Sequence, residues 1–537
     1  MILKNLYKWH RVSSLIIAIP VLLWAISGFM HPIMTNLRPA ISMQSIPVET
    51  IPASKFALTL QQVLKQNKID SIYSVRLIHI DSNWFYQVKT SRKSNLQYFS
   101  VKEGTILPKG DWLYAQYLGR LFLEGAPKST NSKMPAMKMP MSMPMGDGMD
   151  CCTEAASAVL NNETGAAIDG ASMITKFDDE YKPIYNLLPV YKVQFKRNDD
   201  VRIYVETGQD RFAVAVDKNR AAFTTFFDLA HTWAWLDWLG KGRLLVVVFF
   251  SGLGFFTAIM GIYIFFSTKS KKVEGNPLVK SRRNHRYTAI IASIFTLMFT
   301  FSGCYHAFSK LDEKEKDEKS IQHGIASSAV SLDLNKLESV VKSPIRNVGL
   351  IQLDGNAYWQ VYLTAGQSSN IKKDLMKDLR ADADVVTYVN AANYSILPHG
   401  DEVYAKSLAT QFGGHKENEI VSTELITKFT DEYNFTDKRL PVWKINYASN
   451  HKQRLYVETS TGILAKNTND VELYEGYSFA LFHKHHYMDF GGKETRDIST
   501  LIGAALQIMM VIIGLMFYFK SRNRKRILKR KDLTTIQ

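Results

Sequence analysis

Histidine carries the chemical pattern in this chain. Of its thirteen histidines, six form three matched pairs. His10 and His31 bracket one apolar run, and His285 and His306 bracket another at the same spacing. Both runs open on His-Arg and keep Ser-Gly shortly before the closing histidine. His231 and His483 form the third pair, 252 residues apart, and the match extends from Asp237, Gly240 and Lys241 to Asp489, Gly492 and Lys493. An ionisable residue at each end of an apolar helix is a functional candidate. Facing helices that each offer an imidazole are what a haem iron takes as axial ligands. His10 and His31 lie about 31 Å apart along a helix at 1.5 Å per residue, so they serve different centres. Two haems are the expectation, one near each membrane face. The inner one would use His10 and His285; the outer one would draw on His31, His306, His231 or His483. The bland alternative is a set of interfacial histidines bonded to backbone or headgroups, and duplication preserves any ancestral residue. His485 and His486 add possible outer ligands without a duplicated counterpart. No Cys-x-x-Cys-His occurs, which argues against covalently attached haem.

The second chemical signal is soft. Residues 125–165 contain Met134, Met137, Met139, Met141, Met143, Met145 and Met149, followed by Cys151 and Cys152. Clustered thioethers and thiols favour Cu(I) over hard cations. A lid that uses methionine for its adaptability accounts for the same composition. Aromatics crowd the approach to the second apolar stretch: Phe226, Phe227, Trp233, Trp235 and Trp238. They read as an interfacial belt or as a wall around a cofactor edge. Neither a phosphate-binding glycine loop nor His-Glu-x-x-His is present, which argues against bound nucleotide and metalloprotease chemistry.

These residues need elements to position them. Four apolar stretches, about 12–31, 244–266, 287–306 and 498–519, are each close to the ~20 residues of a spanning helix. The expected class is a membrane α-helical protein of four transmembrane helices, duplicated 2+2, with two large extracytoplasmic α+β regions. The division is 1–11 N-terminus, 12–32 first helix, 33–240 first outside region, 241–266 second helix and 267–286 basic loop. It continues with 287–308 third helix, 309–497 second outside region, 498–519 fourth helix and 520–537 basic tail. The N-terminus resembles a signal peptide, but its later duplicate favours a retained helix. The net charge is +16, and much of the excess lies beside helix ends, as in Lys4, Lys8 and Arg11, Lys280 to Arg286, and Lys520 to Lys531. Those short segments fall on one side of a four-span topology, which the positive-inside rule makes the cytoplasm. That placement speaks for membrane lipid and against nucleic acid as the partner. Three cysteines do not make a disulfide framework.

The duplication runs through the outside regions. Helix-like Ala57 to Lys65 precedes strand-like Tyr73 to Ile80 and Trp84 to Lys89. Leu188 to Val193 and Arg202 to Thr207 read as antiparallel strands. At the same offset of 252, Leu440 to Lys444 repeats the former and Arg454 to Thr459 the latter. Ile396-Leu397-Pro398-His399-Gly400-Asp401 repeats Ile106-Leu107-Pro108-Lys109-Gly110-Asp111. The chain reads as two tandem halves, roughly 1–275 and 276–537.

Val457-Glu458-Thr459-Ser460-Thr461-Gly462-Ile463-Leu464, after Trp443-Lys444-Ile445, resembles the strand–turn–strand signature of PepSY domains. The His-Arg and Ser-Gly ends of the helices, and Leu229-Ala230-His231 leading to Gly240-Lys241-Gly242-Arg243, resemble the PepSY-associated transmembrane family. One branch of that family is similar to haem-containing siderophore reductases of the bacterial inner membrane. The resemblance implies a b-type haem oxidoreductase that passes electrons across that membrane and reduces a ferric siderophore, or another metal chelate, in the periplasm during iron uptake. Both termini would be cytoplasmic and both large regions periplasmic. Two other readings stay open: a non-enzymatic regulator whose PepSY-like modules bind a peptide or partner, and a periplasmic copper-handling protein built on the Met-rich loop.

Overall fold

The computed structural model describes residues 2–46, 49–125, 166–269, 277–311, 319–363 and 385–534. The Met-rich segment, with Met134, Met137, Met139, Met141, Met143, Met145, Met149, Cys151 and Cys152, lies outside them. Among the described residues, four helices are long and apolar enough to cross a membrane: Asn5–Asn36, Gly242–Ser267, Pro277–Ser309 and His486–Arg524. They pack in a ring, the first touching the second and fourth, and the third touching the same two. The first and third therefore stand diagonally opposed. Small residues set the spacing. A Cβ on Gly254 of the second helix would lie 3.1 Å from Thr300 Cγ2 of the third, which is the close approach small residues allow between helices in lipid. Ile17, Ala18 and Val21 meet Val511 in the interior, while Phe249, Phe256, Phe266 and Ile294 face outward. Ser251, Thr257, Ser293, Thr296 and Thr300 are buried and bond back to carbonyls of their own helices, so they leave no hydroxyl proton unsatisfied.

Each half carries two antiparallel sheets between its helices. In the first half, Ser74–Ile80, Asn83–Lys89 and Gln97–Ser100 form one sheet. Ile168–Ile174, Val190–Phe195, Arg202–Glu206 and Arg211–Val216 form the other. The second half repeats the order with Ile345–Leu353, Asn356–Leu363, Val385–Asn390 and Ile396–Leu397, then Ile420–Ile426, Val442–Tyr447, Arg454–Glu458 and Ile463–Thr468. The registers agree as well: Tyr191 pairs with Val205, and Trp443 with Val457. The expected helix at Ala57 to Lys65 runs Leu60–Gln66, because Thr59 and Gln62 form a reciprocal cap that starts it there. The first sheets of the two halves share one core, in which Val75, Tyr86 and Val88 pack with Val348, Trp359 and Val361. Asn347 seals that junction by accepting from Leu77 N and donating to Leu77 O.

The repeated Ile-Leu-Pro-x-Gly-Asp motif joins the two sheets of a half. Lys109 and His399 adopt left-handed backbone and open the helices Gly110–Glu124 and Gly400–Gly413. A Cβ on Gly110 would sit 2.7 Å from Tyr98 Cβ, and one on Gly400 2.5 Å from Tyr388 Cβ, so only glycine fits. Tyr98 then donates to Asp111 at 2.8 Å, as Tyr388 does to Asp401. Gln87 and Gln360 donate both to those tyrosines and to the carbonyls of Thr207 and Thr459 in the second sheets. Burial pushes the Asp111 carboxyl up, against the hydrogen bonds from Thr207, Tyr98 and Tyr191. The motif is thus an inter-sheet fastener rather than a chemical site.

Candidate haem-binding histidines and the cavity above them

The inner pair lies on the diagonal helices. His10 packs on the second helix, where a Cβ at Gly261 would lie 3.2 Å from its Cε1. His285 packs on the fourth, where a Cβ at Gly514 would meet its Cε1 at 3.2 Å. Each has a buried Nδ1 without a hydrogen-bond partner. A buried imidazole nitrogen left bare in the same way on both sides of a bundle costs free energy unless something else engages it.

The outer histidines are organised by the Ser-Gly motif. Ser27 Oγ lies 3.0 Å from His231 Nδ1, and Ser302 Oγ lies 3.2 Å from His483 Nδ1. A hydroxyl has one proton to donate. Ser27 spends it on the carbonyls of its own helix, Leu23 O at 2.7 Å and Trp24 O at 3.1 Å; Ser302 does the same with Met298 O at 2.8 Å. With that proton on the helix carbonyls, each serine accepts from the ring, an arrangement in which Nδ1 carries the histidine proton and Nε2 keeps its lone pair. Fixing one ring nitrogen so that the other can ligate is how metal-binding histidines are oriented. Both sit in single π-helical turns, Asp228–Thr232 and Phe479–His483, a wide turn common at functional sites. Their ring centroids are 5.9 Å apart, with the planes at 84°. With metal–nitrogen bonds of about 2 Å, two imidazoles on opposite sides of one metal have ring centres roughly 6 Å apart. Gly28 beside Ser27 faces open space, with nothing within 4 Å of where a Cβ would stand.

Phenylalanines extend this pair symmetrically. Phe227 stacks on His231 at 4.5 Å and approaches His31 at 5.5 Å. Phe479 stacks on His483 at 4.6 Å and on His306 at 4.5 Å. His31 and His306 thus belong to the same cluster but stand one ring further out. The aromatic group before the second helix divides: Phe227 and the buried Trp233 belong to the interior, whereas Trp235 and Trp238 are exposed.

The halves also differ. His485, without a counterpart by residue type, occupies the position of Trp233. Both are buried in left-handed backbone. Trp233 stacks on Trp24 at 4.9 Å and His485 on Phe299 at 5.1 Å. His485 Nδ1 lies 2.9 Å from Ser499 Oγ, and its Nε2 has no partner. His306 Nδ1 is 2.5 Å from Glu475, where the first half has Phe223. His486 pairs with Asp489 at 2.9 Å, away from the stack. Among the described residues, no three His, Cys, Asp or Glu side chains converge as a metal site; the histidines come in twos, the number an axially ligated haem takes. For a haem held by this pair, removing the Ser27 hydroxyl (Ser27→Ala) would weaken retention about 10–100-fold, the usual cost of losing such an orienting partner. A haem-transfer assay to apomyoglobin measures it.

Above the bundle, the two halves enclose a cavity of about 1500 Å³. His31 and Phe227 lie on its lining, as do Lys310 and Lys484 of the second half. One wall carries a buried ion cluster. Glu458, fully buried, holds Arg211 of the first half and Arg439 at 3.1 Å, and accepts from Thr461. These cations hold the Glu458 carboxyl below the ordinary glutamate range despite its burial, whereas burial pushes Glu206, 3.6 Å from Arg211, up.

The chain matches the PepSY-associated TM region family over residues 7–415, most of its length. It belongs to that family. A comparison with curated proteins finds no match. In this PepSY-associated TM protein the family match runs from just before His10 to beyond the Ile-Leu-Pro-x-Gly-Asp motif of the second half. Sequence reasoning found all six paired histidines. It noticed Ser-Gly without seeing that the serine contacts a histidine, and it missed Phe479, the copy of Phe227 at the same offset of 252, and Glu475, which stands where the first half has Phe223.

Proposed function

We propose that this chain is a b-type haem oxidoreductase of the bacterial inner membrane, with both sheet-bearing regions in the periplasm. The observation that carries the reading is the matched pair His231 and His483, each with Nδ1 within hydrogen-bond distance of a serine and with ring centroids 5.9 Å apart, close to the roughly 6 Å of two imidazoles on one metal. The residues fit haem: bare imidazole nitrogens on diagonal helices, glycines where a Cβ would come within 3.2 Å of the inner rings, and open space at Gly28. His10 and His285 would hold an inner haem and His231 and His483 an outer one. Bound haem supplies one-electron transfer at each level. Ser27 and Ser302 keep the outer ligands in the required tautomer. Phe227 and Phe479 pack the outer pair against His31 and His306 and exclude water from it. The cavity above receives the electron acceptor, a ferric chelate. Reduction to the ferrous state weakens the hold of hard oxygen ligands on the metal and releases it in the periplasm. The two tandem halves then represent an ancestral duplication that supplies one ligand of each pair.

Optical spectra of the full chain, purified in detergent from cells supplied with haem, test the proposal. Sharp bands on dithionite reduction and two haems per chain are expected. A colourless protein would sink it and return weight to the regulator and copper-handling readings.

A further inference from the structure

The two outer histidines that flank the central pair are not equivalent. His31 and Phe227 line the cavity, whereas His306 and Phe479 are not on its lining, and His306 is engaged by Glu475. The cavity therefore meets the histidine cluster on the first half's side.

The lining of that cavity is electrically lopsided. Its lysines and arginines outnumber its carboxylates by nearly two to one. The carboxylates already have partners in the protein. Asp210 is held by Arg76 at 2.6 Å, Asp228 by Lys182 at 2.8 Å, and Glu206 lies 3.6 Å from Arg211. Asp111 and Asp401 accept from Tyr98 and Tyr388. Glu49 lies 3.6 Å from His79. Cations remain in surplus near the floor. Arg38 and Lys310 follow directly on the outer ends of the first and third helices, and Arg220 stands on the helix that ends at Phe227. Arg38 and Lys484 line the cavity together with His31. The Nε of Arg38 is buried without a hydrogen-bond partner, a donor that a ligand oxygen would satisfy. Low-dielectric walls around one sign of charge concentrate ions of the other.

We propose that the cavity selects an anionic ferric chelate, of catecholate or carboxylate type, and seats it over His31 rather than His306. This rests on the reductase reading for the word ferric but not for the charge. A neutral hydroxamate chelate would gain nothing from the surplus cations, and a cationic one would be repelled by them.

Gallium(III) has the charge and near size of iron(III) but is not reduced, so its chelates report binding without turnover. The full chain in detergent is titrated by calorimetry with an anionic gallium tris-catecholate and with a neutral gallium tris-hydroxamate. The anionic chelate is expected to bind at least tenfold more tightly, with the difference shrinking in concentrated salt as screening takes hold. Arg220→Glu and Lys310→Glu, one from each half, should each weaken the anionic chelate about tenfold and leave the neutral one unaffected. His31→Phe should reduce anion binding more than His306→Phe. Equal, salt-insensitive binding of both chelates would overturn the charge selection while leaving the reductase reading intact. Loss on His306→Phe alone would overturn the seating. Haem-free protein that still binds the anion selectively would sink the reductase reading and leave the anion site standing.

Discussion

Haem bound per chain is expected to fall by half when His231 and His483 are both changed to alanine. Among the described residues, they are the two histidines of the cluster that lie ring to ring, and each has its Nδ1 within hydrogen-bond distance of a serine. His231→Ala alone would leave His483 as the single protein ligand available to an outer haem, seen as a broadened reduced band and new affinity for carbon monoxide. His10→Ala with His285→Ala should remove the other haem and spare this one. His31→Ala with His306→Ala should keep both haems, because those rings stand beyond Phe227 and Phe479. Pyridine haemochrome quantification decides. If the His31 and His306 variant loses the outer haem while the His231 and His483 variant keeps it, the ligand assignment is reversed.

The second large effect is on stability. Glu458→Gln leaves the Arg211 and Arg439 guanidiniums buried at 5% side-chain exposure beside a neutral amide. Removing one member of a buried ionic cluster costs about 3–5 kcal/mol, and this cluster spans both halves, so the loss loosens their junction. The thermal transition of the detergent-solubilised protein should drop by several degrees, with the haem spectrum initially unchanged. The pH dependence has a defined sign. The folded state depresses Glu458, so its contribution is fully present above the unfolded glutamate value. It is lost as pH falls through the lower folded value. Glu206 works in the opposite sense: its raised folded value makes its ionisation unfavourable to folding as pH rises. Wild type should therefore lose stability at acid pH through Glu458, and Glu458→Gln should flatten that limb. An unchanged acid limb would show that the cluster contributes nothing to folding.

Much of the site was legible because duplication prints each residue twice. The spacing of His10 and His31, repeated at His285 and His306, marks the helices, their depth and their kinship by residue order alone. The strands at Val190–Phe195 and Arg202–Glu206 were equally plain from alternation and from their copies. What escaped was whatever breaks the repeat. Arg211 and Arg439 meet Glu458, yet the positions equivalent to those arginines hold Ile463 and Leu187, so no offset could pair them. His485 takes the place of Trp233 in the fold, and comparison by residue type hides a shared position when the types differ. The role of Ser27 escaped for another reason. A serine in an apolar helix bonds its own backbone by default, and only the position of His231, far along the chain, reveals its second partner.

The lysines of the repeated Gly-Lys step reach across the division between the halves. Lys241 Nζ lies 2.5 Å from Leu311 O beyond the third helix, and Lys493 Nζ lies 2.8 Å from Asn36 Oδ1 at the end of the first. Every facing pair of histidines likewise takes one member from each half. A polypeptide carrying one half alone would own a single imidazole of each pair and a lysine with no helix end to clamp. It would complete each pair only as an isologous homodimer. Within one chain the two halves need not be identical. One side could then open to a cavity at His31 while the other closed on Glu475, a polarity that no symmetric dimer can possess.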